Sequence, residues 1–202
     1  SLYSLSASHP VYLPCKQITK FRCRMLLLLN THRASLQCCS LNIFFRNFLK
    51  DGDVFFDVGA HVGYYSMLAS NLVAPSGGVH SFEPTPRTFK TLQENASSKK
   101  NITVNNNAVL DTETEIEFID YGPKHSAFNS FKRRTGEQMN FLEKPQTVKV
   151  KTVSLDTYCK KNSISPSFIK IDAEGAEYLI LDAMTYILTD VKPVVSIEVA
   201  GE

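Results

Sequence analysis

The chain is expected to fold as an α/β domain of Rossmann-like type, with a central, mostly parallel sheet flanked by helices. Three observations predict it. Short apolar runs alternate with helix-period segments from about Leu41 onward, in the order a doubly wound sheet requires. The first of these runs, Val54-Phe55-Phe56, leads straight into the turn Asp57-Val-Gly-Ala-His-Val-Gly63. Glu83 then closes the next apolar run, twenty positions beyond Gly63, where a βαβ unit brings a carboxylate to the ribose of a bound nucleoside.

The elements follow in order. Leu41 to Leu49 reads as a helix presenting Ile43, Phe44, Phe45 and Phe48, and Asp51-Gly52-Asp53 turns the chain into the first strand. Val54 to Val58 is apolar at nearly every position, as a central parallel strand buried on both faces should be. Tyr64 to Leu72 supplies the crossover helix, with Leu68 and Leu72 facing the sheet, and Pro75-Ser-Gly-Gly78 ends it. Val79 to Glu83 is the second strand. Thr85-Pro-Arg87 opens a helix with proline near its first position and with Phe89, Leu92 and Ala96 inward. Ile102 to Val109 is the third strand with its exit.

Beyond it, Glu115 to Ile119 and Thr147 to Val153 read as the strands of an inserted β excursion. The polar stretch between them, 121–146, is long for a compact domain, and segments of that kind are functional or disordered; a cover for an acceptor site and a plain surface excursion are the two readings. Ser154-Leu-Asp-Thr-Tyr158 opens a helix, Phe168 to Asp172 is the fourth strand, Tyr178 to Leu188 the next helix, and Val194 to Glu198 the fifth strand.

With 202 residues, 43% hydrophobic and 21% charged, the chain can bury one full core. The domain is expected over 41–202, with an N-terminal extension, helical in part, over 1–40. A net charge of +2 is too small to make nucleic acid or an anionic membrane the main partner, and Lys132-Arg133-Arg134 reads as a solvated loop. The five cysteines, Cys15, Cys23, Cys38, Cys39 and Cys159, show neither paired nor zinc spacing. They read as unbridged thiols of a reducing compartment, which makes the expected location cytoplasmic. Met25 to Leu29 is too short to span a bilayer and lacks a clean cleavage site downstream, so it reads as a packed N-terminal helix, with the apolar region of a signal peptide as the alternative.

The spacing of the turn selects among nucleoside ligands. Dinucleotide binders want G-x-G-x-x-G, because a pyrophosphate must reach the helix N-terminus. Here the pattern is D-x-G-x-x-x-G, and His61 stands where it would crowd a pyrophosphate. A ligand without phosphate is favoured, and S-adenosylmethionine is one. Its adenosine can use Glu83 as an acidic ribose clamp, while its methionine end lies over Gly59 and Gly63, where the missing side chains let the backbone approach.

Phe56-Asp-Val-Gly-Ala-His-Val-Gly-Tyr-Tyr-Ser66, Phe82-Glu-Pro84, Asn107-Ala-Val109, Val153-Ser-Leu-Asp156 and Ile169-Lys-Ile-Asp-Ala-Glu-Gly-Ala-Glu177 occur in that order. Together they resemble the motifs of the FkbM-type S-adenosylmethionine-dependent methyltransferases, over roughly 54–200. The resemblance implies a Rossmann-like class I methyltransferase acting on a hydroxyl of a sugar, glycolipid or secondary metabolite. It also implies a further helix and an antiparallel strand pair beyond Glu202, so that a fragment or truncated C-terminus is expected. His61 departs from the family, which usually has asparagine there.

Carried onto this chain, the resemblance implies that Asp57, Gly59, Ala60 and Gly63 shape the methionine end and that Glu83 holds the ribose. Asn107 and Ala108 would lie near the adenine. Asp172 and Glu174 stand at the carboxyl end of an apolar strand, where open α/β sheets bind ligands. With Glu198 at the end of the adjacent strand, they are the candidates for positioning the acceptor or taking its proton; His125 is another possible base. Glu177 reads as support for its helix, and Lys170 as a partner for a carboxylate. The convergent carboxylates are too few for a metal to be assigned. An inactive cofactor-binding scaffold, an N-methyltransferase and a nicotinamide-dependent oxidoreductase stay open as alternatives; the turn argues against the last.

Overall fold

The computed structural model describes residues 24–29, 45–122, 125–126, 129–130 and 145–199. Six strands form one wholly parallel sheet, and three more form a second, smaller sheet. In chain order the elements are β1 (Arg24–Leu29), β2 (Val54–Val58), α1 (Tyr64–Val73), β3 (Gly78–Phe82), α2 (Pro86–Ala96), β4 (Ile102–Asn105), β5 (Ala108–Val109), β6 (Glu115–Asp120), β7 (Gln146–Val153), α3 (Leu155–Asn162), β8 (Phe168–Ile171), α4 (Glu177–Ala183), a π-helical turn (Ile187–Val191) and β9 (Val194–Val199). The main sheet runs β1-β9-β8-β2-β3-β4 and the second runs β5-β7-β6.

Strand alternation divides the core in two. One face of the main sheet carries Phe56, Val58, Ile169, Ile171, Val195 and Ile197, packed with Leu155 and Cys159 of α3 and Ile180 of α4. The other carries Phe55, Val79 and Phe168 against Ala69 and Val73 of α1 and against Phe45 and Leu49. Phe45 meets Phe55, Phe168 and Tyr65 edge-on, with ring centroids 5.2–5.4 Å apart. Residues 45–48 are helical, in keeping with the helix expected from Leu41; Ile43 and Phe44 lie outside the described residues.

Several expectations are corrected. Met25 to Leu29, read as a helix, lies in strand β1, paired in parallel with β9 from Arg24↔Val194 to Leu29↔Val199. Leucine favours helix by propensity, but a parallel strand also reads as an unbroken apolar run, and tertiary pairing decides. The stretch Ile102 to Val109 is two strands: β4 stays in the main sheet, while β5 leaves it to pair with β7. The polar run between them turns the chain, with the Asn106 amide donating to the carbonyls of Glu83 and Pro84.

The helix expected over Tyr178 to Leu188 stops at Ala183 and resumes as the π-helical turn. Asp156 accepts the N–H groups of Tyr186 and Ile187 at 2.7 and 3.0 Å, taking donors that a continuous helix would use internally. In α2, Pro86 stands in the first turn as expected, but Thr88 joins Leu92 and Ala96 on the buried face while Phe89 is half-buried. Cys159 is buried and unbridged. The other cysteines and Lys132-Arg133-Arg134 lie outside the described residues, and no described helix is long and apolar enough to cross a membrane.

Phe55 is wholly buried at the centre of the aromatic cluster. Its replacement by alanine is expected to cost about 3–5 kcal/mol of unfolding free energy. Urea denaturation of Phe55→Ala beside the native chain measures this.

Candidate functional site

Strands β2 and β8 are neighbours, and from them the chain runs outward both ways, through β3 to β4 and through β9. Their carboxyl ends therefore mark the switch point at which an open α/β sheet leaves a crevice. A cavity of about 310 Å³ lies there. Its walls come from the turn after β2, the end of β3, strands β5 and β6, the described part of the insertion, and the turn after β8.

The glycines of the first turn answer first to the chain's own packing. Gly59 has φ +72°, and a Cβ there would overlap the Asp172 carbonyl oxygen. Gly63 has φ +90°, and a Cβ would come within 2.6 Å of Leu92 Cδ1. Both positions thus require glycine before any ligand arrives. Gly59 and Ala60 line the cavity; Gly63 and Asp57 do not, and support the turn from beneath. The N–H groups of Gly59 and Ala60 both donate to the Phe82 carbonyl at 3.0 Å, tying the turn to the end of β3.

Glu83 lines the cavity and is only 6% exposed. One carboxylate oxygen accepts the His61 N–H and the other the Thr85 N–H, each at 3.0 Å. Burial lifts its pKa to about 7 against the pull of those donors. Around it the walls are apolar, with Val58, Phe82, Ala108, Val109, Ile116 and Phe118, and Asn107 supplies an amide. The chemistry of this half suits a flat ring with adjoining hydroxyls, since a carboxylate has acceptor capacity left after two N–H bonds.

At the other half, charge is concentrated. Lys170 is buried, with its ammonium 3.2 Å from Asp172 Oδ2, 3.8 Å from Asp57 Oδ1 and 5.1 Å from the centroid of the Tyr65 ring. Burial works to lower its pKa, but Asp172, Asp57 and Glu198 together hold it above the ordinary lysine value. Asp57, wholly buried, is raised by desolvation despite Lys170 and the Ser66 hydroxyl, which donates to its Oδ2 at 2.6 Å. Ser81 extends the chain by donating to Ser66 at 2.8 Å. Register places Ser81, Asp57, Lys170 and Ser196 side by side across β3, β2, β8 and β9.

Asp172 and Glu174 line the cavity, and Glu174 has a left-handed backbone at φ +49°. Glu198 is half-buried on β9 and acts on Lys170 without lining the cavity. Glu177 accepts the N–H groups of Ala173 and Gly175, which fixes the turn after β8 and matches its expected supporting role.

His61, not among the site residues expected from the sequence, lies in the cavity lining. Its ring Nε2 lies 2.8 Å from Ser126 Oγ, across the cavity on the insertion. Asn129, also in the lining, donates to Thr85 Oγ1 at 3.1 Å and accepts the Tyr121 N–H. Described residues of the insertion therefore do wall the site. The signal that could have found His61 was its place in the turn; nothing local in sequence gives the position of Ser126.

Residues 57–202 match the family model described as the methyltransferase FkbM domain. Among curated proteins, the chain is similar to the hexuronic acid methyltransferase AglP of Haloferax volcanii, 26% identical over 147 residues that cover 72% of this chain and 56% of that protein. It is also similar to the 31-O-demethyl-FK506 methyltransferase FkbM of Streptomyces tacrolimicus, 50% identical over 48 residues, covering 24% of this chain and 18% of that protein. The chain thus spans just over half the length of the first and under a fifth of the second. Among solved structures, the methyltransferase FkbM from Methylobacillus flagellatus KT is 16% identical, with 80% of this chain and 40% of that one covered and a TM-score of 0.48.

Lys170→Met would leave Asp57 buried without its countercharge. The expected loss is about 3–5 kcal/mol near neutral pH. Without the ammonium, the folded-state pKa of Asp57 rises further above its unfolded value, so the folded protein holds the proton more tightly. Stability then falls as pH rises through that window, and the variant's deficit should be smaller at pH 5 than at pH 8. Denaturation of both chains at the two pH values measures this.

Proposed function

The chain belongs to the methyltransferase FkbM family, and from that premise we propose that its cavity binds S-adenosylmethionine and that it methylates a hydroxyl group of a sugar or glycan-type acceptor. The observation that carries the reading is Glu83, a buried carboxylate at the end of β3 that faces an apolar cavity at the switch point. Hydroxyls of a ribose are the donors that a carboxylate between two backbone N–H groups still accommodates. The apolar walls and Asn107 then take the adenine beside Ala108. The turn Gly59–Gly63, held over Asp57, takes the methionine end. When bound, S-adenosylmethionine supplies an electrophilic methyl group on a sulfonium.

Methyl transfer requires the acceptor oxygen in line with the carbon–sulfur bond, so orientation dominates. Positioning can supply about 7–11 kcal/mol of a barrier, against roughly 10²- to 10⁴-fold from one proton acceptor. Asp172 and Glu174 suit the task of orienting an acceptor, since both line the cavity and a carboxylate accepts hydrogen bonds from hydroxyls. Lys170 keeps Asp172 in place, and Glu198 acts through Lys170 from outside the cavity. A sugar acceptor draws support from the similarity to a protein named for methylating hexuronic acid.

Calorimetric titration with S-adenosylhomocysteine and with NADH tests the reading. The first should bind and the second should not. Glu83→Ala should weaken binding by roughly 10- to 100-fold, the worth of hydrogen bonds to a charged group. Because the carboxylate is the form that accepts ribose hydroxyls and its pKa is about 7, affinity of the native chain should fall as pH drops from 8 to 6. Glu83→Gln should flatten that dependence. A folded native chain that binds neither ligand would sink the proposal.

A further inference from the structure

We propose that His61 is a catalytic residue: its imidazole takes the proton of the acceptor hydroxyl as the methyl group is transferred, with Ser126 anchoring the ring. The inference rests on the methyltransferase reading of the cavity. Among the groups that line the cavity, Glu174 is a carboxylate suited to orienting the acceptor. The Asp172 carboxylate is already engaged, with its Oδ2 3.2 Å from the Lys170 ammonium. Lys170 carries its full complement of protons and has no lone pair to offer. Glu83 belongs to the apolar half and already holds two backbone N–H groups. His125, the other histidine near the insertion, does not line the cavity.

His61 differs in each respect. It lines the cavity, and burial holds its pKa below the ordinary histidine value, with Asp172 opposing and Lys170 adding to that shift. The imidazole is therefore neutral near pH 7 and carries a lone pair. Its backbone is anchored by the bond from its N–H to Glu83, and its ring by the 2.8 Å contact between Nε2 and Ser126 Oγ. Among the described residues only Nε2 of the ring has a hydrogen-bond partner. The proposed step takes the tautomer in which Nε2–H donates to Ser126 and Nδ1 carries the lone pair. The residue also holds φ +51°, a left-handed conformation that a non-glycine residue adopts at a cost of about 1–2 kcal/mol. The turn keeps a histidine there in spite of that cost.

The step balances. As the acceptor oxygen bonds to the methyl carbon of the sulfonium donor, the carbon–sulfur bond breaks and its electron pair stays on sulfur. The hydroxyl proton passes to Nδ1, so the positive charge lost from the sulfonium reappears on the imidazolium. Asp172 stabilises that cation, as its upward influence on the His61 pKa implies. The proton then leaves to solvent.

Diethylpyrocarbonate, which acylates only unprotonated imidazole, tests the proposal without turnover when modified peptides of the full chain are mapped by mass. His61 should react, with half-maximal reactivity below about pH 6.5, and should stay reactive under saturating S-adenosylhomocysteine, because its ring reaches away from the turn to Ser126 of the insertion. Asparagine tolerates a left-handed backbone and keeps the backbone N–H that bonds Glu83, so His61→Asn should fold, and titration of the variant with S-adenosylhomocysteine separates any loss of binding from loss of the proton acceptor. On an acceptor found by methyl transfer to hexuronic acid glycosides, the variant should lose roughly 10²- to 10⁴-fold in kcat together with the acidic limb of the pH profile. Ser126→Ala should lower kcat and move the midpoint of that limb while leaving KM unchanged. An unreactive His61, its shielding by S-adenosylhomocysteine, or a His61→Asn variant with native kcat and acidic limb overturns the proposal alone. Failure of S-adenosylhomocysteine to bind the folded chain overturns the methyltransferase reading and this proposal with it.

Discussion

The ammonium of Lys170 is the contact on which the site depends. It lies inside the sheet at the switch point, against one carboxylate that never sees the cavity, Asp57, and another that lines it, Asp172. Burying such charges costs several kcal/mol per ion before their attraction is counted, so the cluster is a poor way to gain stability. What it fixes is register. Asp57 pairs with Lys170 across β2 and β8, and a slip of one residue in either strand would turn its charge to the face occupied by Phe56 and Ile169 and part the pair. The same ammonium that forbids the slip holds Asp172 at the rim.

From that anchor the turn geometry follows. Val58 accepts the Asp172 N–H at 3.1 Å, bringing the end of β8 so close to the turn after β2 that residue 59 has no room for a side chain. Phe82 ties the same turn to β3 by two hydrogen bonds, and Glu83 then receives His61. Three strand ends are thereby locked to one five-residue turn. The second sheet completes the enclosure, because β5 leaves the main sheet and β6 carries Ile116 and Phe118 to the opposite wall.

What could be read in the sequence is what local pattern encodes. β2, β3, β8 and β9 are short apolar runs between turn residues, and each lies within a residue or so of its expected place. The pairing of a glycine turn with Glu83 was legible because a βαβ unit fixes that distance. Where competing local states have the same pattern, legibility ended: an apolar run of leucines suits helix or strand alike, and only pairing with β9 decides for β1. The break after α4 depends on Asp156, some thirty residues upstream in sequence. Likewise Lys170 showed its charge but not its two partners' distances, and His61 gains its meaning from Ser126, 65 residues away. The roles assigned to Asp172, Glu174 and Glu198 rest on placement, and only the first two reach the cavity.

The two halves of the cavity differ in kind, and the difference bears on chemistry. Around Glu83 the medium is apolar enough to push a carboxyl to about 7, so that half holds close to one charge at most near neutrality. Around Lys170 at least three ionisable groups share one space, and their mutual attraction keeps the ammonium charged in spite of burial. A ligand with an uncharged aromatic end and a charged, reactive end fits such a division; a uniformly polar or uniformly apolar one would leave one half mismatched. His61 stands at the seam. Its backbone N–H serves the carboxylate of the apolar half, while its ring feels the charges of the other. A group so placed reports the state of both halves, and it is the only described imidazole that does.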